Sequence, residues 1–353
     1  MKATRGRPQP LEDYGIFGPG SVTWRVWSYP TGLTVGFQRS VVVEELDPFL
    51  VASVHTSQRI FKQARIRYDH TLRYFAIVAF GAADQVAKAS ATLMKVHARN
   101  VGVDPVSGLR FDPNNPDSQM WIHLTAWHSI LYAYERYGPG PLSPEDEARY
   151  WEECAIAAEL QTCDPDAVPR TREGIREYFE AMRPRLAASE ATQETMRHLL
   201  RAEVMLPPMP WLLKPGAWLG ARVLRAATIA TMPRWQRKLA GLRQPRIVDV
   251  LVRPLMKLTF RAVAMSGRLK VVALRLLSPS TVDVAGPMLL GIEPRAKRTY
   301  TPAEAFARTG TPTPAELYEE LQGGPDLSVE IPPSAPAVAA KQAQQAPAAV
   351  AAL

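Results

Sequence analysis

The sequence predicts an all-α protein. Apolar residues recur at helical rather than alternate spacing from about residue 47 onward. Ser, Thr and Asp caps, often followed by Pro, open the periodic stretches, and Gly- and Pro-rich breaks close them. With 46% hydrophobic and 22% charged residues over 353 positions, the chain has an ordinary globular balance and can build a sizeable core without staples.

Residues 1–13 are basic and Pro-containing and read as a flexible tail. No apolar stretch follows them, so no secretory signal is expected. Residues 14–20, with Gly15, Gly18, Pro19 and Gly20, read as a loop. Residues 31–45 hold Gly32, Gly36 and an apolar run that fits a short helix or a strand. Asp47 then caps a helix with Pro48 at an early position and Phe49, Val54 and Phe61 as anchors. Leu72, Phe75, Ala76 and Ala79 give the next helix over residues 69–80, broken by Gly81. Asp84 opens an Ala-rich helix that runs to Arg99 and is closed by Gly102.

Residues 103–117 form a loop rich in Pro, Asn, Asp and Gly. Asp117 or Ser118 caps a long helix to Tyr137, with Met120, Leu124, Trp127, Leu131 and Tyr134 on one stripe. Gly138-Pro139-Gly140-Pro141 ends it, and Ser143-Pro144-Glu145-Asp146 starts another. Helices over residues 173–182, behind Thr171, and 192–202 follow. Pro207-Pro208-Met209-Pro210 is a rigid break, with shorter basic, apolar helices beyond it to about Leu277. Thr301-Pro302-Ala303-Glu304 and Thr313-Pro314-Ala315-Glu316 each open a short helix. From Gly323 the chain is Pro-, Ala- and Gln-rich and reads as disordered. The expected organisation is a tail (1–13), a helical domain (14–290, of which 211–290 is its basic amphipathic part), short helices (291–322) and a disordered tail (323–353).

The net charge of +8 is unevenly spread. Acidic residues crowd 143–180, whereas 214–298 is strongly basic. Solvated basic faces on core helices account for this, and so does a surface that lies on an anionic membrane. Nucleic acid is not expected as a partner, since no recognition module or stacking platform stands out. No apolar run reaches the roughly 18 residues of a spanning helix. Cys154 and Cys163 form no metal-type pair and read as reduced thiols of a cytoplasmic protein. The Ala-, Pro- and Arg-rich composition suggests a GC-rich bacterial genome.

The motifs of common hydrolases, P-loop enzymes, HExxH metalloenzymes and nicotinamide dehydrogenases are absent. Of the six histidines, His70, His97, His123 and His128 fall in the expected helical core. His97 sits on a helix rich in small residues, which lets a flat cofactor or another helix come close. A neutral imidazole on a helix is the usual protein ligand of haem iron. Taken alone, the position equally suits a half-buried histidine near a helix C-terminus. Arg67, His70 and Thr71 share a helix face at i, i+3 and i+4, a cation, an imidazole and a hydroxyl suited to an oxygen or carboxylate guest. A capped helix start with solvated charges fits the same pattern. His123 and His128, five positions apart, point in different directions.

In order and spacing, several stretches resemble the MpaB-type oxygenase and latex-clearing protein (rubber oxygenase) family. They are Gly18-Pro19-Gly20, Arg67-x-x-His70-Thr71 leading to Phe80-Gly81, and Val96-His97-Ala98-x-x-Val101-Gly102. Trp121-Ile122-His123, Leu131-x-Ala133-Tyr134-Glu135-Arg136 and Leu206-Pro207-Pro208-x-Pro210-Trp211 complete the set, which spans roughly residues 15–290. The resemblance implies a globin-like multi-helix core around a haem b pocket. It makes His97 the proximal iron ligand and places Arg67 and Thr71 on the distal, catalytic side. The rubber enzymes carry a lysine where this sequence has His70, so His70 becomes a distal iron ligand, and latex cleavage does not transfer. His123 is a further cofactor-binding candidate.

The function these readings imply is a haem-dependent oxidoreductase or oxygenase using dioxygen on an apolar, lipid-like or isoprenoid-like substrate, with peripheral contact to an anionic membrane. The alternatives are a non-catalytic helical protein that binds haem or lipid, and a non-haem iron site built from His97, His123 and a carboxylate.

Overall fold

The computed structural model describes residues 8–57, 59–103, 108, 110–202, 206, 207 and 209–322. The segments expected to be loose at 1–7 and 323–353, and Pro208 of the rigid break, lie outside the described residues. The all-α expectation holds: among the described residues the only strands are β1 (Gly102–Val103) and β2 (Arg110–Phe111), a two-residue antiparallel pair.

The first layer comprises α1 (Val22–Trp27), α2 (Phe37–Val43), α3 (Pro48–Ser57) and α4 (Arg59–Lys62), followed by α5 (Ala64–Phe80) and α6 (Ala83–Ala98). The ambiguous stretch before α2 is neither a strand nor a plain helix but a π-helical turn, Gly32–Gly36. Its cause is tertiary: a Cβ on Gly36 would stand 2.9 Å from the Cα of Ile130 on α7 (Pro116–Tyr137), so a glycine is required for that approach. Asp47 caps α3, accepting from the amides of Phe49 and Leu50 at 2.9 and 3.0 Å.

The N-terminal segment is not a loose tail from Pro8 on. Asp13, 3% exposed, accepts from the amides of Gly15 and Ala83, both at 2.8 Å, and so satisfies the first turn of α6 from a distance. Gly15 adopts φ +68, and a Cβ there would meet the carbonyl oxygen of Gly81. The N-terminal segment is thereby pinned to the turn that joins α5 to α6.

The second layer is α7, α8 (Pro144–Ala158), α9 (Arg172–Met182) and α10 (Glu190–Leu199). Ser143 and Thr171 cap α8 and α9 as expected, whereas α7 is capped by Asn115 with Pro116 at its first position. Glu153 of α8 receives the amides of Val22 and Thr23 at 3.0 and 2.6 Å and so closes the start of α1. The core between α1, α2, α5, α7 and α8 is aromatic: Trp27, Trp121, Trp127, Trp151 and Tyr150 are all fully buried. Cys154 and Cys163 are buried and unbridged.

The chain then runs through α11 (Lys214–Thr231), α12 (Arg234–Leu239), α13 (Arg246–Ala264), α14 (Gly267–Leu277) and α15 (Val282–Leu289). These include longer helices than expected, because α13 continues through Pro254. Thr301 and Thr313 cap α16 (Pro302–Thr309) and α17 (Pro314–Gln322), and both helices brace α6. Ala91 and Met94 of α6 pack on Leu317 of α17.

Candidate functional site

Helices α5 and α6 leave between them a cavity of about 920 Å³, completed by the end of α2, α3, the start of α7 and the segment after α8. That volume is at the upper end of small-molecule and cofactor sites. Its walls are largely apolar, with Leu50, Ile66, Phe75, Leu93 and Ile122 among them. Arg67, His70, Thr71 and His97, the residues singled out from the sequence, all line it. The expected Arg67, His70 and Thr71 face thus lies in a cavity shared with His97. Thr71 Oγ1 donates to the Arg67 carbonyl at 2.9 Å, which fixes the hydroxyl against its own helix. His70 is exposed where it lines the cavity.

The setting of His97 is the most informative feature. Asn114 Nδ2 donates to the Met94 carbonyl at 2.9 Å, so its Oδ1 is the atom 3.2 Å from His97 Nδ1. That oxygen can only accept, so the Asn114 contact is a hydrogen bond when Nδ1 carries the proton, and Nε2 then keeps its lone pair. Gln119 Nε2, which donates to the Pro113 carbonyl, also stands 3.3 Å from Nδ1 and has a second amide proton to offer in the other tautomer. Burial pushes the His97 pKa down to about 4, opposed by the Asn114 acceptor and reinforced by the nearby Arg67 cation. A neutral imidazole with its outer nitrogen held by a second residue is the form that binds a metal.

Asn114, Gln119, Glu44 and Gln161 are site residues that the sequence did not reveal. Each arrives from an element other than α5 or α6, so no local spacing could have announced it. Glu44 and Glu45 stand beside Arg67. Burial raises the Glu44 carboxyl well above its usual range, with Glu45 adding to the rise and Arg67 opposing it. Glu44, Arg67 and Thr71 also border a side chamber of about 50 Å³ that reaches Glu45 and His198.

His123 is fully buried and does not line the cavity. Its Nε2 donates to the Cys154 carbonyl at 2.8 Å, and its Nδ1 accepts from Gln161 Nε2 at 3.3 Å. Both ring nitrogens are thus in use, and His123 reaches the cavity only through Gln161. His128 packs against Arg39 and Phe179. Among the described residues no three His, Cys, Asp or Glu side chains come together as metal ligands.

A protein-family model, that of the ER-bound oxygenase mpaB/B'/rubber oxygenase catalytic domain, matches residues 24–265. The chain belongs to this family. The match runs from α1 to the end of α13 and contains every residue that lines the cavity. No curated protein and no solved structure matches the chain. Membership in the mpaB/rubber oxygenase family gives the domain an oxygenase role, with a small-molecule substrate and dioxygen as its general partners. Among the described residues no helix is long and apolar enough to cross a membrane.

Glu45 provides a test of the polar side chamber. It is 2% exposed, and its Oε2 has no partner. Burial lifts its pKa from 4.5 to about 8, against the pull of Arg67 and with a further push from Asp47. The folded carboxyl is neutral over a range in which the unfolded one is ionised. Its contribution to stability is present below 4.5 and is lost as pH rises through about 8. In Glu45→Gln the free energy of unfolding should fall less steeply than in the wild type as pH rises across this window, the difference being on the order of a few kcal/mol. Parallel curves for the two proteins would show that Glu45 is ionised in the fold.

Proposed function

We propose that the domain is a haem b-dependent oxygenase acting on an apolar, lipid-like or isoprenoid-like small molecule. The observation that carries this reading is His97, a neutral imidazole held by Asn114 at the wall of a large, mainly apolar cavity. The donor set fits haem better than a non-haem centre. Haem would bring most of the iron's ligands with it and need one side chain such as His97 to hold it, whereas non-haem iron would need several.

Haem would supply the redox chemistry, and the chain's own residues its binding and surroundings. His97 would hold it, with Asn114 fixing the ring. Arg67 puts a permanent cation in the cavity, which stabilises negative charge developing on a guest oxygen. Thr71, fixed against the Arg67 carbonyl, presents its hydroxyl oxygen as an acceptor. Leu50, Ile66, Phe75, Leu93 and Ile122 exclude water and select an apolar guest.

The test is an absorption spectrum of the purified protein before and after dithionite, followed by oxygen uptake with and without an apolar substrate. A Soret band that shifts on reduction, and substrate-dependent uptake, are the expected results. No Soret band after reconstitution with haem would remove the reading. His70 would cap the iron as a second, reversible ligand. The ferric spectrum should then change from a low-spin to a high-spin form in His70→Ala, and an unchanged spectrum would rule His70 out.

A further inference from the structure

Of the eighteen large apolar side chains with high exposure among the described residues, fourteen fall between Trp211 and Leu276. The same stretch, residues 211–277, holds fourteen Lys and Arg and a single acid, Asp249. That acid is already committed to Arg237 and Gln244, both at 2.7 Å. Concentrated apolar exposure inside a strongly basic surface is unusual for a water-facing protein surface.

Helix α13 shows how the surface is built. Val252, Met256 and Phe260, four apart, are buried against Ala133 and Tyr137 of α7 and Ala227 and Ala230 of α11. The opposite face of a helix packed this way is normally polar. Here it carries Ile247, Val250, Leu251 and Leu258, each at least 60% exposed. Arg253, Lys257 and Arg261, also four apart and exposed, run along one edge between the two faces. Helices α11 and α14 flank α13 and continue the pattern with Trp218, Leu219, Leu269, Val272 and Leu276. Trp211, 74% exposed, lies in the turn that leads into α11.

We propose that the exposed face of α11, α13, α14 and the Trp211–Leu213 turn docks on an anionic lipid bilayer. Charge complementarity selects this occupant. Exposed apolar side chains enter the region between headgroups and acyl chains, Trp suits that boundary, and the Arg and Lys edge meets lipid phosphates. A second copy of the chain fits less well. Pairing this face with itself sets its basic edges against one another. The acidic 143–180 region could meet the charge but has Ile156 as its only highly exposed large apolar residue. The chain lies on the bilayer and does not cross it at these helices, since none of them is long and apolar enough to span. The inference does not rest on haem or on catalysis.

The experiment is flotation of the full chain with phosphatidylcholine vesicles, with and without phosphatidylglycerol, read together with its sedimentation coefficient. The wild type should float with the anionic vesicles at low salt, and release as salt is raised. The triple variant Leu251→Glu, Leu255→Glu, Leu258→Glu should lose about tenfold or more in partitioning. A second variant, Arg253→Gln, Lys257→Gln, Arg261→Gln, should lose the preference for anionic over zwitterionic vesicles. Every position is exposed, so melting temperatures should match the wild type, and the Gln variant keeps the test open if the Glu variant misfolds. Failure to float with anionic vesicles at low salt would overturn the proposal. So would a dimer that the Glu variant converts to monomer, which would assign the face to a second copy of the chain.

Discussion

His97→Ala is expected to abolish stable haem binding while leaving the fold in place. The side chain is only half-buried, and its mapped contacts are polar, so its removal opens little cavity in the core. What is lost is the neutral imidazole that Asn114 holds at the cavity wall. The Soret band of the reconstituted variant should fall below about a tenth of the wild-type value, with unchanged far-ultraviolet circular dichroism. Added imidazole should restore part of it, because the cavity, the apolar walls and Arg67 remain. Asn114→Ala tests the other half of the argument. It removes the side chain that holds His97 Nδ1, and haem affinity should fall about 10–100-fold. Since Asn114 also bonds the Met94 carbonyl, its melting temperature must be read alongside. Full haem content in His97→Ala would remove the ligand assignment altogether.

How legible this site was from the sequence depended on where each residue comes from. Arg67, His70 and Thr71 share one helix face by spacing alone, and the cavity does contain all three. His97 was visible as a histidine on a small-residue helix, but its hydrogen-bonded setting was not. That depends on Asn114, which a loop carries back to the end of α6. Glu44 was hidden for a similar reason: its setting is made first by burial under remote elements, with Arg67, more than twenty positions away, as an opposing charge. His123, a further cofactor-binding candidate from the resemblance, does not line the cavity: its nitrogens face Cys154 and Gln161, and Gln161 alone connects it to the cavity wall.

The same division holds for the fold. Ser143, Thr171, Thr301 and Thr313 were readable as caps because capping is a local interaction within three residues. The Gly32–Gly36 turn was undecidable because a contact with Ile130, nearly a hundred positions on, sets it. Pro8 to Asp13 looked like a free tail since its partners, Arg295 and Ala296 and the first turn of α6, are remote. Exposed leucines on α13 could not be told from buried ones until packing showed which face was already taken.

Trp127→Ala should produce the largest loss of stability of any single change considered, about 3–5 kcal/mol. Trp127 is 1% exposed and stands where α1, α7 and α8 meet. Its ring lies 5.1 Å from that of Trp27, 5.0 Å from Tyr150, 6.0 Å from Phe17 and 5.9 Å from His123. The Tyr150 hydroxyl donates to the Trp127 backbone carbonyl at 2.9 Å and accepts from Trp27 Nε1 at 3.2 Å, so the Tyr150 and Trp27 rings are held in place around the Trp127 ring. Truncation removes the ring that several others rest on, and the partners cannot all collapse into the space. Trp127→Phe keeps part of the contact and should lose clearly less. Denaturant midpoints, with slopes unchanged, provide the measurement. Trp127 does not line the cavity, so at low denaturant the variant should still take up haem, unlike His97→Ala. A loss below about 1 kcal/mol would mean that the aromatic core repacks freely around the gap. Loss of haem with unchanged stability would mean that Trp127 shapes the site directly.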